Sequence, residues 1–192
     1  ALAKIEVYPT KSKGKVKIVE TVEQIHSASS DTLRVLVEGG WPREFSAAAI
    51  KSAKDAETDW LKRLPKETKD LKHLPFVTID GEDARDFDDA VYAEPVGSGR
   101  SRVWVAIADV SFFVVPGTPL DKEAYERSTS VYFPDFVVPM LPENLSNGVC
   151  SLNPNTPRAS LVCEFIVNAS GHIERFEFFE ALIQSHKRMT YE

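Results

Sequence analysis

Residues 76–94 read Phe76-Val77-Thr78-Ile79-Asp80-Gly81-Glu82-Asp83-Ala84-Arg85-Asp86-Phe87-Asp88-Asp89-Ala90-Val91-Tyr92-Ala93-Glu94. From Asp80 to Glu94 seven residues are acidic and only Arg85 is basic, a net of −6, which equals the net charge of the whole 192-residue chain. Carboxylates crowded in this way repel one another unless something cancels them. Apolar, strand-like runs stand on both sides, at 76–79 and 90–93. Oxygen ligands held between two strands are what a hard cation such as Mg²⁺ takes. In a continuous strand the neighbours Asp88 and Asp89 would face opposite sides. Convergence of Asp80, Asp86, Asp88 and Asp89 therefore requires a loop or bulge between Gly81 and Phe87, and Gly81 permits a turn. A calcium loop of the EF-hand type requires Glu at its twelfth position. Counted from Asp80 that position is Val91, and no amphipathic helices flank the stretch, which excludes it. A plain solvated acidic turn stays open on these grounds.

The bulk numbers bound the class. With 43% hydrophobic and 27% charged residues the chain can bury a sizeable core. No apolar run approaches the ~20 residues of a membrane span, so no membrane partner is expected. The first residues, Ala1-Leu2-Ala3-Lys4-Ile5-Glu6, lack the apolar core of a secretory signal. Cys150 and Cys163 have no ligand-like spacing and sit among apolar neighbours. They read as small hydrophobes in a reducing cytoplasm. The acidic balance argues against a uniformly basic nucleic-acid binder but leaves room for local patches. There is no phosphate-binding glycine loop, no GxSxG elbow and no Cys/His nucleophile pair. The four histidines, His26, His73, His172 and His186, are scattered and read as surface or structural.

Along the chain, residues 1–20 carry a net +3, with Ile5, Val7 and then Val16, Ile18 alternating at period two. This predicts two strands joined by a turn at 9–14. Their lysines suit either a phosphate backbone or a solvated edge that blocks aggregation. A short helical turn is expected at 21–26 and a strand at 33–37, ended by Gly39-Gly40. Ser46 is a plausible N-cap for a helix running to Leu64, with Ala49, Ala53, Ala56, Trp60 and Leu64 on one face. Residues 66–72 form a charged connector. Beyond the acidic stretch, Gly97-Ser98-Gly99-Arg100 predicts a turn. The run 103–108 suits a central strand buried on both faces and paired with 90–94. Asp109 is expected to cap a turn rather than join the metal set. Thr118-Pro119-Leu120-Asp121 starts a helix reaching Arg127. Asn168-Ala169-Ser170-Gly171 turns a hairpin between strands at 159–167 and 173–183.

The stretch from Phe76 to Ala90 resembles the acidic signature of the ribonuclease II / ribonuclease R exoribonucleases, with the four family aspartates at their usual spacing. Thr129-Ser130-Val131-Tyr132-Phe133-Pro134, residues 138–146, Cys150-Ser151-Leu152-Asn153-Pro154 and residues 185–191 are similar to the family as well. The resemblance implies hydrolytic, Mg²⁺-dependent 3′-to-5′ degradation of single-stranded RNA to nucleoside 5′-monophosphates, with Mn²⁺ as a possible substitute. It implies catalytic and metal-holding roles for Asp80, Asp86, Asp88 and Asp89. It places Tyr132 where the family has an aromatic that stacks on the RNA 3′ end, although an ordinary core role suits Tyr132 equally. Arg85 can contact a phosphate or simply neutralise its acidic neighbours.

The implied architecture is α+β: a mixed, mostly antiparallel sheet with a few helices, preceded by the remnant of an OB-type barrel. The expected parts are the end of a cold-shock domain at 1–20, a linker with one amphipathic helix at 21–72, and the N-terminal part of the catalytic domain at 73–192. Family members continue well past this stretch. Little activity is therefore expected of the 192 residues alone, and a partner chain or self-association is expected to cover exposed core. The alternative is a non-catalytic fragment that binds metal or RNA.

Overall fold

The structure is a computed structural model that describes residues 2–7, 15–20, 28–42, 44–133 and 137–191. In chain order its elements are β1 Leu2–Val7, β2 Lys15–Glu20, α1 Ala28–Gly39, α2 Ala47–Glu57, a 3₁₀ turn Trp60–Arg63, β3 Lys69–Asp70, β4 Val77–Asp80, β5 Asp89–Gly97, β6 Arg100–Ala108, α3 Val110–Phe113, α4 Pro119–Arg127, β7 Val131–Tyr132, β8 Val137–Val138, a π-helical turn Asn144–Val149, β9 Pro157–Val167, β10 Ile173–Gln184 and β11 Lys187–Thr190. They fall into two compact units, residues 1–44 with 131–138, and residues 45–130 with 139–192.

In the first unit β1 and β2 pair antiparallel, as their period-two patterns predict, and β7 pairs with β8. The expected turns at 9–14 and 21–26 lie outside the described residues. The strand expected at 33–37 is instead the second half of helix α1. Leu36 is buried while Arg34, Val35 and Glu38 are exposed, a helical rather than an alternating pattern. The two glycines end it for different reasons. A Cβ on Gly39 would lie 2.4 Å from the Trp41 ring, and Gly40 has φ +71°.

The second unit is built on a seven-stranded sheet of order β11-β4-β5-β6-β9-β10-β3. Its interior pairs are antiparallel, and only the two edge strands, β11 on β4 and β3 on β10, run parallel. The α+β class and the mostly antiparallel sheet agree with the sequence reading. Two predicted turns hold as drawn: the β5–β6 hairpin passes through Gly97 and Gly99 at positive φ, and the β9–β10 hairpin passes through Gly171. Helix α4 begins at the cap the sequence predicts, with the Asp121 N–H donating to Thr118 Oγ (3.2 Å), and reaches Arg127 as expected.

One helix is shorter than its periodicity suggests. Ser46 caps α2, accepting from the Ala49 N–H (3.1 Å), but α2 stops at Glu57. Both the N–H and the hydroxyl of Thr58 turn back to the Lys54 carbonyl, and Asp59 takes a left-handed conformation (φ 51°). The 3₁₀ turn that follows still delivers Trp60 to the core. The apolar stripe read as one helix face is thus presented by two short elements.

Two apolar clusters hold this unit together. Ala53, Trp60, Phe113, Leu120, Ala124, Leu145 and Cys150 join the helices to Ala159 of β9. Phe76, Phe87, Trp104, Leu152, Val162 and Ile183 cover one face of the sheet. The other face is not covered in the same way. Antiparallel register aligns Val105, Cys163 and Phe178, then Val103, Phe165 and Phe176, then Ile107 and Leu161 on this side. Ile107 and Leu161 are 45% and 47% exposed, and Phe176 and Phe178 are 66% and 62% exposed. Strand β6, expected to be buried on both faces, is therefore buried on one. An all-apolar run reports that a strand can be covered twice, not that it is.

Candidate active site

The acidic stretch folds as a break in the sheet. Strand β4 ends at Asp80, β5 begins at Asp89, and residues 81–88 between them are irregular. The loop that the carboxylate spacing requires is present, and Gly81 makes its turn without entering the left-handed region. The Ala84 N–H closes that turn on the Gly81 carbonyl (3.1 Å). Phe87 is buried in the sheet-face cluster and anchors the far end.

Backbone polar groups in such a loop must find partners elsewhere. The fully buried Ser151 hydroxyl accepts from the Phe87 N–H (3.0 Å) and donates to the Arg85 carbonyl (3.1 Å). The Leu152 N–H donates to the Phe87 carbonyl and the Ala108 N–H to the Asp88 carbonyl, each at 2.8 Å. From the other side Arg188 of β11 donates to the carbonyls of Gly81 (2.6 Å) and Glu82. Its guanidinium carbon lies 5.2 Å from the centre of the Phe87 ring. The loop is local in sequence, but it is held by residues far along the chain.

The electrostatics follow from the placement. Burial pushes the Asp80 carboxyl above its ordinary range, the charges of Asp89 and Asp86 push it further, and the Thr78 hydroxyl and Arg188 pull the other way. Asp88 is raised in the same sense, first by desolvation and then by Asp86, Asp89 and Asp80. Asp80 and Asp88 thus lie in the field of their neighbouring aspartates. Among the described residues Asp80 Oδ2 and Thr78 Oγ1 are both shut off from solvent and make no hydrogen bond of ordinary geometry, although the Thr78 hydroxyl lies near enough to Asp80 to favour its charged form. Buried polar atoms are rarely left so.

In chemistry the donors suit a hard divalent cation: they are carboxylates, and a positive ion would relieve the repulsion that raises Asp80 and Asp88. As the side chains are placed, no three acidic, histidine or cysteine groups among the described residues are gathered closely enough to cage an ion. Strand alternation explains the spread. Asp80 is on the side of buried Thr78, whereas Asp89 opens β5 beside buried Ala90 and so takes the opposite side.

Residues 68–192 match the RNB domain family. The chain belongs to that family. Among curated RNB relatives it is 59% identical over 132 residues to ribonuclease R of Escherichia coli (strain K12), covering 67% of this chain and 16% of that protein. It is 46% identical over 187 residues to ribonuclease R of Vibrio cholerae, covering 95% of this chain and 22% of that one. The chain thus spans about a sixth to a fifth of the length of these relatives. Among solved structures, Mycoplasma genitalium RNase R in complex with double-stranded RNA superposes with a TM-score of 0.86 at 31% identity, over 98% of this chain and 34% of that one. The same enzyme in complex with ribose-methylated single-stranded RNA gives a TM-score of 0.86.

Within this RNB fold Asp86 and Asp89 act electrostatically on Asp80 and Asp88, but the four side chains are not gathered as an ion cage among the described residues. Arg85 is exposed in the same loop and forms no ion pair among the described residues. Tyr132 is 65% exposed on β7, in the first unit, so it is not a core residue. Asp109 accepts from the Phe112 N–H (3.1 Å) and the Ser111 hydroxyl (2.6 Å), the turn-capping role expected of it. His73, His172 and His186 are exposed, and His26 lies outside the described residues. Sequence reasoning missed Ser151 and Arg188. Their only signal was membership of short stretches that resemble the family, because no local pattern links them to a loop 64 to 107 positions away.

Proposed function

We propose that this chain carries the acidic centre of an exoribonuclease that hydrolyses single-stranded RNA from its 3′ end to nucleoside 5′-monophosphates. The observation that carries this reading is the loop between β4 and β5, where Asp80 and Asp88 lie in the field of neighbouring aspartates, in a family with a relative solved in complex with RNA. Asp80, Asp86, Asp88 and Asp89 would hold Mg²⁺, or Mn²⁺ in its place. A bound divalent ion supplies charge neutralisation at a scissile phosphate and an activated water. The chain's own residues supply the rest. Ser151 bonds the backbone on both sides of Asp86, and buried Phe87 anchors the chain between Asp86 and Asp88, so the two carboxylates are presented from a fixed backbone. Arg85 is exposed and available to a phosphate. Tyr132 offers a base a stacking surface, worth ~1–3 kcal/mol and tolerant of sequence.

The test has two arms. Millimolar Mg²⁺ or Mn²⁺ should raise the melting temperature of the chain, since a ligand bound only by the folded state stabilises it. The quadruple Asp→Asn variant should lose that shift. In the longer protein that contains these residues, Asp88→Asn should abolish turnover of labelled RNA while leaving RNA binding largely intact. Release of nucleoside 3′-phosphates, or degradation from the 5′ end, would overturn the assignment. Metal-dependent stabilisation without turnover in the longer protein would favour a binding module.

A further inference from the structure

Arg188 is the second residue of β11, which runs parallel to β4 with Arg188 beside Thr78 and Thr190 beside Asp80. Its guanidinium leaves that ladder and reaches past the end of β4. One nitrogen, Nη2, donates to the carbonyls of both Gly81 and Glu82, the two residues that follow Asp80. The guanidinium carbon lies over the ring of Phe87, the residue that precedes Asp88, 5.2 Å from its centre. Among the described residues its Nε is buried without a partner. What lysine does not reproduce is the pairing of these bonds with a delocalised cation over the Phe87 ring, because its ammonium is a point charge on a flexible stem.

The geometry points to Arg188 as the positioning residue of the acidic centre: it pins the turn after Asp80 and the ring before Asp88, and so sets the distance between Asp80 and the other three aspartates. This rests on the reading of those aspartates as the ion-holding set. Electrostatics gives a sign that separates positioning from a mere counter-charge. A cation beside four carboxylates opposes the binding of a metal ion. If Arg188 acted only through its charge, removing that charge would tighten ion binding. If it acts by holding the loop, removal loosens binding in spite of the charge relief.

Two variants of the 192-residue chain, Arg188→Lys and Arg188→Gln, decide this with two measurements. The first is amide hydrogen exchange without added ion. In both variants the Ala84 and Phe87 amides, which bond within or from the loop, should exchange about tenfold faster, the scale of one charge-assisted hydrogen bond. The Val162 and Ile166 amides of β9 should stay protected, which shows that the fold is kept. The second is a Mn²⁺ titration read from the resonance of the free ion. Its midpoint should rise about tenfold for Arg188→Lys, which keeps the charge and loses the guanidinium. It should also rise for Arg188→Gln. Unchanged loop exchange in Arg188→Lys, or a midpoint equal to or lower than that of the natural chain in both variants, overturns the assignment. If the natural chain takes up no Mn²⁺ at millimolar concentration, the ion-holding reading falls, and loop exchange alone then decides whether Arg188 holds the turn.

Discussion

Ser151 shows how much one hydroxyl can hold. It is fully buried, it is both acceptor for Phe87 and donor to Arg85, and its own carbonyl accepts from Arg158 Nε (2.7 Å). Alanine in its place leaves a buried N–H and a buried carbonyl unpaired. The expected cost is about 1–3 kcal/mol, read as a lower urea midpoint with unchanged slope. A second residue-scale case is Glu123. It accepts from Arg127 Nη2 (3.0 Å) and from the Ser46 N–H (3.1 Å), so it ties α4 to the start of α2. Burial by itself would raise its pKa, but Ser46 and Arg127 together outweigh burial and hold it below the ordinary glutamate range. A depressed folded-state pKa gives stability that is present above the unfolded value and lost as pH falls through the folded one. Glu123→Gln should therefore cost about 2 kcal/mol at pH 7, a figure set by loss of hydrogen bonds to a charged group. The gap to the natural chain should close on acidification below about pH 4, near the ordinary glutamate value. A gap that persists unchanged at pH 2 would show that packing, not ionisation, is what Glu123 contributes.

At the scale of elements, α4 is the clearest case of local chemistry deciding its own bounds. Thr118 Oγ accepts from the Asp121 N–H, Asp121 Oδ2 accepts from the Gly117 N–H (2.7 Å), and Pro119 sits where no intrahelical donor is needed. Thr118→Ala should lower stability by about 1 kcal/mol, measured by chemical denaturation. The helix α2 shows the limit of such rules. Its apolar spacing continues through Trp60, yet the chain leaves the helix at Thr58 because a side-chain hydroxyl and a left-handed Asp59 compete with the helical ladder. The loop at 81–88 lies between these cases. The sequence placed a break between Gly81 and Phe87, and the break is there, but the convergence of Asp80, Asp86, Asp88 and Asp89 from which it was argued is not seen among the described residues. What holds the loop was not legible, since Ser151 and Arg188 arrive from β9's approach and from β11.

Over the whole molecule the open face of the sheet is the dominant feature. Phe176 and Phe178 stack edge to face with ring centres 5.7 Å apart, on a surface continued by Leu161 and Ile107. A contiguous apolar face of this kind is a site of contact or a liability. Replacing both phenylalanines with serine should change chain stability by less than about 1 kcal/mol, because little of their surface is buried on folding. It should also lower the binding of a hydrophobic dye. A large loss of stability would show that this face is covered in solution. The same openness bears on activity. At equal concentration with Mg²⁺, the 192-residue chain should degrade labelled RNA at least ~10²-fold more slowly than a full-length ribonuclease R relative, the scale of losing one group that stabilises a transition state. Comparable rates would show that these residues hold a complete site.

The sequence by itself determined the acidic loop and its aspartates, the hairpin turns at 97–100 and 168–171, the caps of α2 and α4, and the RNB family. Each rests on residues within a few positions of one another, where sterics, capping and charge spacing act locally. Tertiary structure alone decided that 33–37 is helical, that β6 is covered on one side, and that Ser151 and Arg188 hold the loop. Those outcomes depend on which distant segment supplies a hydrogen bond or an apolar cover, and nothing in a strand's own residues records whether its second face meets protein or solvent.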